Sequence, residues 1–116
     1  MKVVNIKDVE KKKVTMEGSL NAFKQIPISK ADGTPNFSMR IFTIEPNGYT
    51  PYHKHSYEQL NYILEGEGVL INENGEEISL RTGDCVLVMP DEMHQYKNIS
   101  ANNDFIFICC VPKEFE

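Results

Sequence analysis

The sequence has no apolar run of membrane-spanning length, no internal repeat, no low-complexity tract and no linker, and it has only three cysteines and fewer basic than acidic residues. Each shortage removes a class of protein. A transmembrane helix needs about 20 consecutive apolar residues, and none are present. Met1 to Glu10 alternates charge with Val and Ile and carries no apolar signal-peptide core, so a cytoplasmic protein is expected. Three cysteines, an odd number, do not make the disulfide framework of a small secreted scaffold. Cys109 and Cys110 are adjacent in an apolar run, where strand geometry sends them to opposite faces and prevents a mutual bridge. Twelve basic against 17 acidic residues give a net charge of −5, the wrong sign for a nucleic-acid reader. The sole basic run, Lys11-Lys12-Lys13, reads as a solvated turn. Neither nucleic acid nor membrane is expected as a partner. Helical patterning is missing too: no window sustains apolar residues at i, i+3, i+4 and i+7 over three turns.

Strand patterning, by contrast, is dense. At 116 residues the chain should be one domain, 1–116, with one core. Short runs rich in Val, Ile, Phe and Tyr are punctuated by Gly, Pro, Asn and Asp. The pattern predicts strands near Val3–Ile6, Thr15–Leu20, Ala22–Ile28, Phe37–Glu45, Gln59–Glu65, Gly68–Asn72, Glu76–Leu80, Cys85–Met89, His94–Asn98 and Phe105–Val111. Turns are expected at Ala31–Pro35, Glu45–Gly48, Glu73–Gly75 and Arg81–Asp84. An all-β chain with strands this short makes a sandwich or barrel, and a double-sheet jelly roll protects its edges well.

All three histidines fall into one metal-ligand pattern. His53 and His55 are spaced i, i+2, which puts both on one face of a strand with Cα atoms roughly 6.6–7 Å apart. Two imidazoles so placed can converge on one ion. Gln59 follows four residues later, and His94 opens a later strand. Gln59 shares the parity of His53 and His55; its neighbour Glu58 would point inward instead if the strand bulged at Ser56-Tyr57. Parity places Asn61 and Ile63 on the same face as Gln59, and Tyr96 and Asn98 on the same face as His94. Asn61 and Tyr96 are then candidates to orient a substrate or a metal-bound water, although Tyr96 also suits wall packing. Arg40, in the run Phe37–Glu45, is a candidate anion clamp, but such an arginine is more often a surface or dimer-interface charge. Tyr49, Tyr52, Tyr57 and Tyr62 flank the histidine pair and suit an aromatic rim, ordinary packing or an interface.

The series Gly48, His53, His55, Gln59, Gly66, followed by Gly83, Pro90, His94, Asn98, resembles the two motifs of the cupin superfamily, in the family's order. Leu64-Glu65-Gly66-Glu67-Gly68 and Arg81-Thr82-Gly83-Asp84 are also typical of it. The resemblance implies a double-stranded β-helix, the jelly-roll cupin barrel, with its core at about 37–111. It also implies one divalent transition metal (Mn, Fe, Ni, Zn or Cu) on His53, His55, Gln59 and His94. Gly48 to His53 is one residue shorter than is common. So is Pro90 to His94, where Glu92 stands near a frequent Gly. The larger departure is Gln59, where the family usually has Glu. A neutral amide leaves the full 2+ charge on the ion, which should weaken metal affinity and favour anionic ligands.

The resemblance implies a metal-dependent enzyme acting on a small, anionic or enolizable molecule, dioxygenase-like or isomerase/lyase-like. A non-catalytic small-ligand-binding cupin is the other class, and a metal-free epimerase-like cupin a third, which the intact histidine set disfavours. Tyr62, Leu64 and part of Val3–Ile6 should face away from the pocket, so a homodimer is expected, with N-terminal strands contributed across the interface.

Overall fold

Most of the β-rich runs between turn residues become strands in the computed structural model, which describes residues 1–116. They are β1 (Lys12–Lys13), β2 (Leu20–Ile28), β3 (Phe37–Tyr49), β4 (Gln59–Glu65), β5 (Glu67–Ile71), β6 (Glu77–Arg81), β7 (Cys85–Val88), β8 (Gln95–Asn98) and β9 (Phe105–Pro112). Helical structure is confined to three single-turn 3-10 segments, Ile6–Asp8, Lys30–Asp32 and Lys113–Phe115. No helix is long and apolar enough to cross a membrane.

Every strand pairing is antiparallel, and the strands form one sheet in the order β6-β5-β8-β3-β9-β4-β7, with β2 and β1 joined at β3. The core shows how that sheet curls. Leu70, Leu80 and Tyr96 come from one end of it; Ile44, Ile63, Phe105, Phe107 and Val111 come from the other. All pack in one cluster, so the two ends face each other across a barrel, the jelly-roll architecture expected. Alternation then sorts the wall. Gln59, Asn61 and Ile63 point in, as do Tyr96 and Asn98, whereas Leu60, Tyr62 and Leu64 are exposed.

Two expected strands do not form. Val3–Ile6 has no pairing partner and Val3 is exposed. The Gln25 side chain donates to the carbonyls of Ile6 and Val9, so a side chain occupies acceptors that a ladder would have used. Thr15–Leu20 turns at Met16–Gly18, and the strand starts only at Leu20.

The expected turn at Glu45–Gly48 is instead a bulge inside β3. Leu20 pairs with Tyr49 and Ala22 with Ile44, so Asn21 alone opposes residues 45–48. Asn21 and Asn47 absorb the irregularity at positive φ (48° and 64°). Gly48 is required by the close approach of β2: a Cβ there would stand 2.6 Å from the Leu20 carbonyl oxygen. The bulge positions the site. Before it, β3 runs along β9, from Phe37 opposite Pro112 to Ile44 opposite Phe105; after it, Tyr49 pairs with Lys97 of β8. The chain is thereby delivered to the barrel mouth beside the strand that His94 precedes.

Candidate metal centre

Continuing past Tyr49, Thr50 N donates to Tyr96 O, and His53 and His94 then exchange backbone hydrogen bonds of 3.1 and 2.9 Å. His53 and His55 do not lie on a regular strand, as the i, i+2 spacing suggested; residues 54–58 are irregular. The Asp91 amide pins this segment by donating to His55 O at 2.7 Å. The rings converge all the same. Centroid separations are 5.5 Å for His53–His55, 5.0 Å for His53–His94 and 4.9 Å for His55–His94. One nitrogen from each lies within 4.8 Å of the others, a cluster that could hold a metal ion.

The hydrogen bonds fix which nitrogens face the centre. His55 Nδ1 donates to Tyr57 O at 2.7 Å, and His94 Nδ1 donates to Glu92 O at 2.8 Å. A carbonyl can only accept, so each Nδ1 carries the hydrogen and each Nε2 keeps a lone pair. Gln59 Oε1 lies 2.9 Å from His55 Nε2. Two lone pairs therefore face each other, an arrangement that a shared proton or a metal ion would satisfy. Three converging imidazoles suit a metal. Two donors, each about 2.1 Å from one ion and at right angles, stand about 3.0 Å apart. The donor set thus fits the implied metal.

The amide cannot simply be turned round. Gln59 Nε2 donates to Asn61 Oδ1 at 3.0 Å, Tyr96 Oη donates to the same oxygen at 2.6 Å, and Asn61 Nδ2 donates to the Ile108 carbonyl at 3.2 Å. Reversing Gln59 would set two carbonyl oxygens against each other. Reversing Asn61 as well would set its oxygen against that of Ile108. The backbone of β9 thus fixes Asn61, Asn61 fixes Gln59, and Gln59 presents oxygen to the imidazoles. Glu58 is turned out to solvent while Gln59 is 5% exposed, so it is the Gln59 side chain that points inward beside the imidazoles.

Arg40 departs from the reading as a surface or interface charge. It is buried, beside the same cavity. This cavity, of about 310 Å³, is walled by Phe42, Tyr57, Phe107, Cys109 and Phe115 as well as the polar groups. Tyr57 stacks on His55 at 3.9 Å, and Phe115 stacks on Tyr57 at 4.2 Å. Of the four tyrosines suited to a rim, only Tyr57 lines the cavity. Tyr52 donates to Asn72 O on the surface, and Tyr62 is on the outer face. Cys109 was legible from its parity with Phe105 and Phe107. Phe115 had no local signal, because it reaches the site only after the strands have closed.

Burial pushes the His94 pKa down to about 4 from an ordinary 6.5, and the neighbouring His53 and His55 push the same way; the hydrogen bond to Glu92 O opposes them. Burial, then His55 and Arg40, lowers His53. Neutral imidazoles are what a metal requires. A group whose folded pKa lies below its unfolded one binds its proton first in the unfolded chain. Stability is therefore present above about pH 6.5 and is lost as pH falls toward 4. Metal-free protein should lose on the order of 3 kcal/mol from His94 between pH 7 and pH 4. Urea unfolding across that range measures it, and a flat profile would show that His94 is not buried as described.

The cupin domain family matches residues 40–111. Gentisate 1,2-dioxygenase of Streptomyces sp is 31% identical over 67 residues, 58% of this chain and 19% of that protein, so the chain spans about a fifth of its length. An uncharacterized protein of Aquifex aeolicus is 32% identical over 95 residues, 82% of this chain and 74% of its own. Among solved structures, the polyketide cyclase RemF from Streptomyces resistomycificus superposes with a TM-score of 0.92 at 27% identity, over 97% of this chain and 80% of that one.

Proposed function

The chain belongs to the cupin family, and on that premise we propose that His53, His55, His94 and Gln59 hold one divalent transition ion through which the protein acts on a small anionic, enolizable or phenolic molecule. The observation that carries this reading is the meeting of His55 Nε2 and Gln59 Oε1, lone pair to lone pair, beside two further imidazoles. Imidazole and amide oxygen suit Mn, Fe, Ni, Zn or Cu. A bound ion would supply Lewis acidity toward the ligand's oxygen.

The chain's own residues do the rest. Three neutral imidazoles and a neutral amide leave the ion's charge unreduced, which favours an enolate or phenolate oxygen. No carboxylate adjoins the imidazoles, so a protein base at the metal is not part of this reading. Burial holds the Tyr96 phenol well above its usual pKa, and its proton is committed to Asn61 Oδ1. Tyr96 and Asn61 therefore hold Gln59 rather than exchange a proton with substrate. Phe42, Tyr57, Phe107 and Phe115 give a planar ligand apolar walls and exclude water.

The polyketide cyclase is similar to this chain in structure, and gentisate dioxygenase in sequence over 58% of it. With no carboxylate base at the imidazoles to favour either, an isomerase- or lyase-type rearrangement without dioxygen is taken first and oxygenase chemistry second. Metal-loaded protein offered a panel of enolizable and phenolic compounds, with oxygen uptake and product mass followed together, tests this. Turnover without oxygen consumption supports it; oxygen consumption points to a dioxygenase, and tight binding without turnover to a ligand-binding module.

The proposed assembly is a twofold homodimer. Across β7, β4 and β9 the outer face is apolar and uncharged: Leu87, Leu60 and Cys110 form one row, Cys85, Tyr62 and Ile108 the next. Leu60, Tyr62 and Leu87 are exposed. An uncharged apolar face is complementary to itself. The N-terminal segment folds back on its own β2, so this face, rather than exchanged strands, carries the proposal. Light scattering at micromolar concentration should give twice the 13.3 kDa chain mass; a monomer would sink the idea.

A further inference from the structure

Arg40 keeps a full positive charge inside the barrel without a counter-ion. It is 8% exposed and makes no ion pair; the chain's only ones are Lys2–Asp32 and Lys12–Glu10. One guanidinium nitrogen donates to Cys109 Sγ at 2.9 Å, the group lies 5.1 Å over the Phe42 ring, and its Nε has no partner at all. A buried charge left unpaired is costly, and arginine cannot relieve the cost by losing its proton. Lys24, another cation, lines the same cavity, but its Nζ already donates to Glu116 O at 3.1 Å. The cavity's one carboxylate, Glu116, is taken by Ser29 Oγ, Ser38 Oγ and the Lys30 amide. Arg40, Cys109 and Asn61 form one row across three neighbouring strands, so Arg40 starts roughly 10 Å of backbone spacing from the Gln59 side of the site.

We propose that Arg40 is an anion subsite, and that the ligand is a planar aromatic or enolic acid. One end would carry the oxygen that meets the metal and the other a carboxylate that meets Arg40. This rests on the metal-site reading above and adds the ligand's second anchor. A carboxylate in the cavity can meet the terminal guanidinium nitrogens, with Nε enclosed behind them, while Phe42, Tyr57, Phe107 and Phe115 flank the ring between the two ends.

The test compares 3,4-dihydroxybenzoate with its neutral isostere 3,4-dihydroxybenzamide on zinc-loaded protein, by calorimetric titration. Zinc avoids oxygen chemistry. Wild type should prefer the benzoate by about 10- to 100-fold, the worth of a hydrogen-bonded charge. Arg40→Gln should cut that preference at least about tenfold and leave benzamide affinity unchanged; Arg40→Lys should retain part of it. Equal affinities in wild type, or an undiminished preference in Arg40→Gln, would overturn the subsite. Zinc uptake on the same samples separates the two readings and checks that each variant is folded. One equivalent bound without discrimination overturns the anion subsite alone. No zinc bound overturns the metal site, and benzoate against benzamide titrated into that metal-free protein still tests Arg40.

Discussion

Replacing His53 and His55 together with Ala is expected to leave a folded barrel that no longer takes up a stoichiometric metal ion. The fold should survive because neither residue belongs to the core cluster and both sit on the irregular segment at the barrel mouth. The site should not. His94 and Gln59 remain, and two donors cannot close a coordination shell that needs four or more. Chelating sites of imidazole and thiolate on zinc are worth about 10–16 kcal/mol. Losing half the donors should therefore cost well over 1,000-fold in affinity. Metal analysis after gel filtration, beside far-UV circular dichroism, measures both halves. A folded variant that still held one tight equivalent would mean that the ligands lie elsewhere.

The second large effect concerns Asn61, which touches no metal in this account. Asn61→Ala frees the Gln59 amide to turn, and its metal affinity should fall by about 10–100-fold, the usual cost of losing a partner behind a ligand. The same change in a Gln59→Glu background should cost little. A carboxylate needs no orienting, and the Asn61 carbonyl, 3.0 Å from the present amide nitrogen, would face it with like polarity. Charge alone predicts that Gln59→Glu tightens metal binding. The structure sets Asn61 against that gain, so the tightening should be full only in the double variant. If Asn61 merely supported the barrel, the loss would be equal in both backgrounds; metal titration of the four proteins decides.

What could be read before the structure was whatever obeys a short period. Parity placed Gln59, Asn61, Tyr96 and Asn98 inside and Tyr62 and Leu64 outside, because β8 and β4 as far as Ile63 are regular and half-buried; the register shift against β9 comes only after Ile63. Parity preferred Gln59 to Glu58 for the same reason. Where the ladder breaks, the reading broke. Glu45–Gly48 has turn composition, yet its Asn and Gly serve a bulge, since the same tolerance of positive φ suits both. Val3–Ile6 has strand composition and no strand to pair with. Arg40 was weighed by the ordinary habit of arginine, but its neighbours on β3 alternate inward and carry it in. Phe115 and Lys24 join the site across the closed barrel, which no local pattern encodes.

X-ray absorption at the zinc edge of zinc-loaded wild-type protein tests the central claim most directly. The account predicts three imidazole nitrogens and at least one oxygen, all at about 2.0–2.2 Å. A sulfur neighbour at about 2.3 Å, or fewer than three imidazoles, would contradict it.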